Sequence, residues 1–416
     1  MTYIQSGTKT YYSAAIALFF AGFVTFATIY ATQPLLPIFS DEFGVTAQSA
    51  SLTISVTTGM LAILLLVAAP LSDRFGRKNV MVLSMILTAV MGLLTAFSPN
   101  FGTLLSIRTF LGIAVAGVPA IAMTYVVEEF DQNSLGKVMG LYIAGSSIGG
   151  MSGRLITGVL TDIWNWQVAL SVLGGLSIVM SVLFVFMLPN SKHYTPKKSS
   201  INQALRRYGS VLKQPQLMAV ISLGLSLWGS FIVLFNYFAY LLMEPPFSLS
   251  QAVIGFIYVV YLAGTFSSVY MGKKADRHGK PAVILLGIGL MTVGALLTLV
   301  PLLLITILGV VVFTFGFFGA HSTASAWVSQ RAKEYRSQAS SLYLFAYYAG
   351  SSIAGAIGGF FYTSFAWLGV VVFMLGLLAL AVPAIQFAKK RTSRRAIAVV
   401  LSNQETLSDI LHNVPY

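Results

Sequence analysis

Long apolar runs, parted by short polar or charged turns, set the plan of this chain. A run of about 20 apolar residues crosses the hydrocarbon core of a bilayer as a helix, and the runs here have that length. They predict spans over 13–38, 49–70, 79–98, 102–126, 136–160 and 166–188. After a polar interval come 216–242, 251–272, 281–300, 302–327, 337–361 and 366–387. Only Pro301 divides the ninth run from the tenth, but their joint length exceeds one crossing. The first run is too long for the apolar core of a signal peptide, and a single charge, Lys9, precedes it, so it reads as a retained span. The pattern is that of an all-α membrane protein with twelve transmembrane helices.

The polar turns repeat. Ala69-Pro-Leu-Ser-Asp73-Arg74-Phe75-Gly76-Arg77-Lys78 has a weaker copy half a chain later, Gly272-Lys-Lys-Ala-Asp276-Arg277-His-Gly279-Lys280. Ala144-Gly-Ser-Ser-Ile148 in the fifth span returns as Ala349-Gly-Ser-Ser-Ile353 in the eleventh, at nearly the same offset. Two motifs repeated in equivalent helices predict two pseudo-symmetric six-helix bundles, the parallel repeat of transporters that rock about a midplane site. The division is an N-terminal bundle over 1–188, a linker over 189–215, a C-terminal bundle over 216–387 and a tail over 388–416.

Composition agrees. The chain is 56% hydrophobic and 9% charged, against about 25% charged in soluble domains. A net charge of +13 raises nucleic-acid binding as a class, but the placement of the charge removes it. With a cytoplasmic amino terminus, Lys9, Arg74, Arg77, Lys78, Lys137, the six basic residues of the linker and those around Asp276 all fall inside. So do Arg331, Lys333, Arg336, Lys389, Lys390, Arg391, Arg394 and Arg395. The outer loops hold Asp41, Glu42, Asp162 and Glu244. This positive-inside bias places both termini in the cytoplasm. Trp164, Trp166 and Trp367 fall at outer boundaries, where indoles tend to anchor. With no cysteine, disulfides and thiolate metal sites are excluded; no metal cluster or phosphate-binding loop is visible, so no cofactor is expected.

Over residues 10–390 the chain resembles the major facilitator superfamily, in its twelve-helix, efflux-type (drug:proton antiporter) branch. The turn Asp73-Arg74-Phe75-Gly76-Arg77-Lys78 matches that family's loop motif, with Ala69 where glycine is usual. The resemblance implies the major facilitator fold, alternating access and proton-coupled export of a small amphipathic solute or drug. Short loops and a compact twelve-helix plan are compatible with a bacterial inner membrane, and a monomer is expected. In the turn, Gly76 permits a tight reversal and the Asp73 carboxylate suits the positive end of a neighbouring helix. Asp73, Arg74, Gly76 and Arg77, with Asp276 and Arg277 in the copy, are therefore candidates for a latch closing the inner side. Simple topology anchoring is the alternative.

Arg108, in Leu104-Leu-Ser-Ile-Arg108-Thr-Phe-Leu-Gly112, resembles the family's second motif, whose arginine is linked to proton coupling; Leu111 stands where glutamine is common. The alternative is a structural arginine bonded to backbone carbonyls of a neighbouring helix. Gly145, Gly149, Gly150 and Gly153 resemble the antiporter motif of the efflux branch, with Gly150 in place of its proline and Arg154 in place of its last glycine. Small residues there allow close helix approach.

Gln33, Arg108 and Arg154 all fall in the outer halves of their helices and are expected to border one cavity. Two arginines without a mid-membrane carboxylate favour neutral or anionic groups over cations. Arg154 snorkelling to the outer interface is the competing reading. In the second half Asn236, Tyr258, Tyr261, Tyr347 and Tyr348 are cavity candidates. His321, the only histidine inside a predicted span, is a coupling candidate, because histidine ordinarily titrates near neutrality. A hydrogen-bonded structural histidine is the alternative.

The expected function is a secondary active transporter that uses a proton gradient and moves a small-molecule solute, without enzymatic activity. Import or facilitated passage of a neutral or anionic metabolite stands beside it. Two remoter classes remain. One is a non-transporting sensor, and the other an intramembrane hydrolase built on Gly150-Met151-Ser152-Gly153 with His321 as base.

Overall fold

A computed structural model describes residues 3–194, 201–332 and 335–412, with side chains described to Lys389 except at positions 69 and 201–205. Of the basic residues counted above, Lys197, Lys198 and Lys333 lie outside it, as do the side chains of Lys390, Arg391, Arg394 and Arg395.

The first bundle contains α1 (Lys9–Tyr30), α2 (Leu36–Phe43), α3 (Ala47–Phe75), α4 (Arg77–Thr95), α5 (Phe101–Val115), α6 (Ala122–Glu129), α7 (Leu135–Ile163) and α8 (Trp166–Met187). Local chemistry starts these helices. Thr8, Thr46, Asn100 and Asn165 each cap an amino terminus by accepting from a backbone N–H three residues on. Then α9 (Ile201–Leu212) lies within the expected linker, and Pro215, tolerated in a first turn, opens α10 (Pro215–Met243). The second bundle continues with α11 (Gln251–Ile257), α12 (Tyr261–His278), α13 (Lys280–Leu297), α14 (Leu303–Arg331) and α15 (Arg336–His412). The last is two helices joined at Phe365 and Ala366, whose backbone is non-helical.

Three expected spans are not single helices. The first ends at Tyr30 and resumes at Leu36, because Pro34 has no N–H for the ladder and Gln33 turns back to the Tyr30 carbonyl. The fourth is interrupted between Val115 and Ala122, around Gly117 and Pro119. The eighth is divided by a 3₁₀ turn at Tyr258–Val260, between α11 and α12, and the other spans match within a few residues.

Symmetry is visible in the packing. α1 lies on α7 as α10 lies on α15, and α3 on α5 as α12 on α14. A Cβ at Gly145 would strike the Phe19 carbonyl, and one at Gly350 would strike the Leu225 carbonyl in the same way. Gly149 and Gly153 continue the first seam against Phe23 and Ala27. In the paired turns, Gly76 and Gly279 have φ of 91° and 84°, so each helix reverses through one left-handed residue.

The bundles meet along α3 with α15 and α7 with α11. At the end far from the linker they are tied. Ser40 Oγ and Tyr240 Oη lie 2.6 Å apart, Tyr240 Oη donates to the Leu36 carbonyl at 2.8 Å, and Ser51 Oγ donates to the Gly355 carbonyl at 3.2 Å. Gly158 and Gly255 bring the backbones of α7 and α11 into contact. Of the three indoles expected at the boundary, only Trp164 is exposed. Trp166 packs inward against Phe39 and Phe43, and Trp367 donates to Thr298 Oγ1.

Candidate functional site: a buried polar junction between the bundles

Because α1 stops at Tyr30, the side chain of Gln33 turns towards the second bundle. Its Nε2 donates to Asn236 Oδ1 of α10 at 2.7 Å, and its Oε1 accepts from Arg154 Nε of α7 at 2.6 Å. All three residues are almost wholly buried, Arg154 at 1% exposure. Gln33 and Asn236 are separated by 203 residues of chain, so this bond joins the two bundles.

Arg154 is enclosed by aromatic faces. Its guanidinium carbon lies 4.3 Å from the ring centre of Tyr30, 4.8 Å from Tyr261 and 5.2 Å from Tyr258. Ring faces carry negative potential and attract a cation. Among the described residues Arg154 makes no ion pair with a carboxylate. Its Nη1 reaches back to the Gly150 carbonyl at 2.5 Å, the residue where α7 lacks the family's proline. Snorkelling to the outer interface is thus not what Arg154 does here. Tyr258 opens a single 3₁₀ turn between α11 and α12, and that irregularity lies opposite Arg154.

Arg108 stands apart from this cluster. It donates through Nε to the Thr53 carbonyl at 2.8 Å, through Nη1 to the Thr28 carbonyl at 2.8 Å and through Nη2 to the Ile29 carbonyl at 2.5 Å. Thr28 and Ile29 end α1, where carbonyls lose their helical donors, so the guanidinium closes the break that Pro34 opens. Arg108 and Arg154 approach the same helix end, one through its carbonyls and the other through Gln33.

An aromatic wall extends from the junction through α10. Trp228 meets Tyr30 edge-on at 6.2 Å and stacks on Phe231 at 4.9 Å and on Tyr347 at 4.1 Å. Tyr347 lies 5.0 Å from Tyr348 and 4.8 Å from the His321 ring, whose Nδ1 is 2.9 Å from Tyr343 Oη. No hydrogen bond joins His321 to Ser152 among the described residues, which leaves the serine–histidine pairing without geometry. Tyr30 and Trp228 are the residues that sequence reasoning missed. The available signal was helical spacing, since Tyr30 lies just before Gln33 and Trp228 two turns before Asn236.

At the linker end, Arg77 pairs with Asp73 at 2.6 Å and with Glu128 through two bonds at 3.0 and 3.1 Å. Tyr194 Oη donates to the Asp73 carbonyl at 2.6 Å, and Glu129 accepts from the His193 backbone at 3.0 Å. These contacts hold the start of the linker against the first bundle. Arg74 lies over the Phe75 ring, whereas Asp276 and Arg277 are exposed and make no ion pair among the described residues.

A family model described as Major Facilitator Superfamily matches residues 18–355 and 229–413. The chain is 46% identical to the Uncharacterized MFS-type transporter YybF of Bacillus subtilis (strain 168), covering 92% of this chain and 94% of that one. It is 42% identical to the Inner membrane transport protein YnfM of Escherichia coli (strain K12), covering 91% of each. Among solved structures it resembles nucleoside transporter NupG at a TM-score of 0.76 and 15% identity, covering 91% of this chain and 100% of that one. A bacterial homolog of the human lysosomal transporter Spinster, inward-facing and unoccupied, matches at 0.72 and 16%, over 92% and 97%.

Proposed function

Since this chain belongs to the Major Facilitator Superfamily and so is a multi-pass membrane transporter rather than an enzyme, we propose that it exports a small amphipathic solute, neutral or anionic at its polar end, against a proton counterflow. The observation that carries this reading is the buried junction of Arg154, Gln33 and Asn236 where the two bundles meet. A solute seated there touches both bundles at once, which is what alternating access requires of a transport site. One guanidinium in a low-dielectric setting without a carboxylate repels cations and attracts negative or acceptor groups.

The remaining parts take roles around it. The membrane is a bacterial inner membrane, with both termini and the linker cytoplasmic, and the transporter works as a monomer. The far-end ties of Ser40, Tyr240 and Ser51 then close the outer face. The Asp73–Arg77–Glu128 turn is the inner latch, with Asp276 and Arg277 as its weaker counterpart. With Arg108 committed to three carbonyls, His321 and its Tyr343 partner are the favoured coupling group. Glycine packing along Gly145, Gly149 and Gly153 keeps α1 and α7 moving as one unit.

The test is proton movement in sealed proteoliposomes carrying an internal pH dye, challenged with lipophilic cations, neutral amphiphiles and organic anions. Neutral or anionic compounds are expected to drive proton counterflow. A response confined to cations overturns the reading of the junction, and no response to any compound overturns antiport. A second reading, facilitated passage or import of a metabolite, is favoured by one feature: the acidic side chains of the described spans sit at their ends, as Asp73 and Glu129 do. It predicts solute flux with no pH change.

A further inference from the structure

The donors around Arg154 outnumber the acceptors. Of the five N–H groups of a guanidinium, Nε is given to Gln33 and Nη1 to the Gly150 carbonyl, while Nη2 is buried with no acceptor. Asn236 Nδ2 and the hydroxyls of Tyr258 and Tyr261 are likewise buried without a hydrogen-bond partner. These atoms come from α7, α10 and the α11–α12 turn, so both bundles contribute. Buried polar groups are nearly always paired in folded proteins, and an unpaired buried charge is the costliest exception. The complement of such a cluster carries one negative charge and several lone pairs.

Resting on the transporter reading above, we propose that Arg154, Asn236, Tyr258 and Tyr261 form a carboxylate subsite and that the solute is an aromatic monocarboxylic acid. A carboxylate offers about four lone-pair sites on two oxygens and accepts from a guanidinium in a planar fork. A single guanidinium balances one negative charge, which disfavours a phosphate dianion. The tyrosine faces at 4.3, 4.8 and 5.2 Å stand in for a counter-ion. They leave the charge matched only weakly, so an arriving carboxylate replaces a poor partner with a strong one. The aromatic body is specified by the adjoining wall. Trp228, stacked between Phe231 and Tyr347 and edge-on to Tyr30, makes the surroundings of the cluster aromatic and apolar, the chemistry that an aromatic body matches. Gly355 keeps the approach to Asn236 open, because a Cβ there would meet Asn236 Nδ2 at 3.1 Å and Ser55 Oγ at 3.0 Å.

The experiment measures binding, not flux, on the full chain in lipid nanodiscs. Phenylacetate, phenylacetamide and phenethylamine share one body and differ at the head; a few larger aromatic acids, each with its amide and amine, extend the series. Calorimetry and thermal shift are expected to show the acids binding about tenfold or more tighter than their amides, with the amines weakest. Arg154→Gln removes the preference for acid over amide, and Tyr261→Phe reduces it. Amides equal to acids, amines favoured, or no binding by any acid overturns the proposal, and the wild-type comparison stands even where a variant fails to fold. Arg154→Gln that folds and keeps the full preference also overturns it. The two readings fail separately. Flux of amides or amines without acid binding removes the carboxylate subsite and keeps the transporter; acid binding without flux of any compound does the reverse.

Discussion

Replacing Arg108 with methionine tests whether this residue is a structural clamp or a coupling group. The substitution keeps an unbranched apolar stem and deletes the guanidinium. Three bonds vanish, to the carbonyls of Thr53, Thr28 and Ile29. Hydrogen bonds to a charged donor contribute about 1.5–3 kcal/mol each, so the loss totals about 4.5–9 kcal/mol. Against this, removing an arginine from the membrane interior relieves about 2.5–3.5 kcal/mol on insertion scales. The net is a destabilisation of about 1–6.5 kcal/mol. It falls on the end of α1, whose break positions Gln33. Arg108→Lys is expected to recover only part of it, since an ammonium is a point charge without the planar fork. The assay pairs thermal unfolding in detergent with solute flux in proteoliposomes. A clamp predicts a lower midpoint together with loss of both proton-linked flux and simple solute exchange. A variant of unchanged stability that loses only the proton-linked flux would refute the clamp and restore the coupling role.

Three further outcomes are expected. Gly149→Ala forces α1 and α7 apart at Phe23 and costs about 1–3 kcal/mol of stability, while Gly140→Ala on the exposed side of α7, with open space around it, changes stability little; equal melting of the two would dismiss the packing seam. A double-mutant cycle of Gln33→Ala and Asn236→Ala should return a coupling of about 0.5–1.5 kcal/mol for the closed outer face, read as cysteine labelling from outside; additive effects would mean that the bond does not hold the bundles together. Asp73→Asn, which weakens the hold on Arg77, should raise labelling of a cysteine at Ser337 from the inner side, and unchanged labelling leaves the turn as a topological anchor alone.

How far sequence reading reached can be judged residue by residue. Gly76 and Gly279 were legible as turns because a left-handed backbone is a local demand that glycine meets. The seam of Gly145, Gly149 and Gly153 was legible because spacing of four residues aligns one helix face. The breaks around Gln33-Pro34 and Gly117–Pro119 were written just as locally, in proline, but apolar length masked them. Trp166 and Trp367 were expected at the lipid boundary and instead face inward, because boundary position says nothing about which side of a helix a residue occupies.

The sequence by itself determined the number of crossings, the doubled plan and the charged turns, since each depends on run length, repeat offset or one residue's backbone freedom. Only the tertiary structure decided which buried polar groups meet. It sent Arg108 to the carbonyls of a broken helix and Arg154 to Gln33 and three tyrosines, although both looked alike as lone arginines in outer half-helices. It also brought Gln33 to Asn236 across 203 residues of chain. The physical reason is that a buried charge takes whatever acceptors or ring faces the neighbouring helices present, and helix neighbours are set by packing between remote segments.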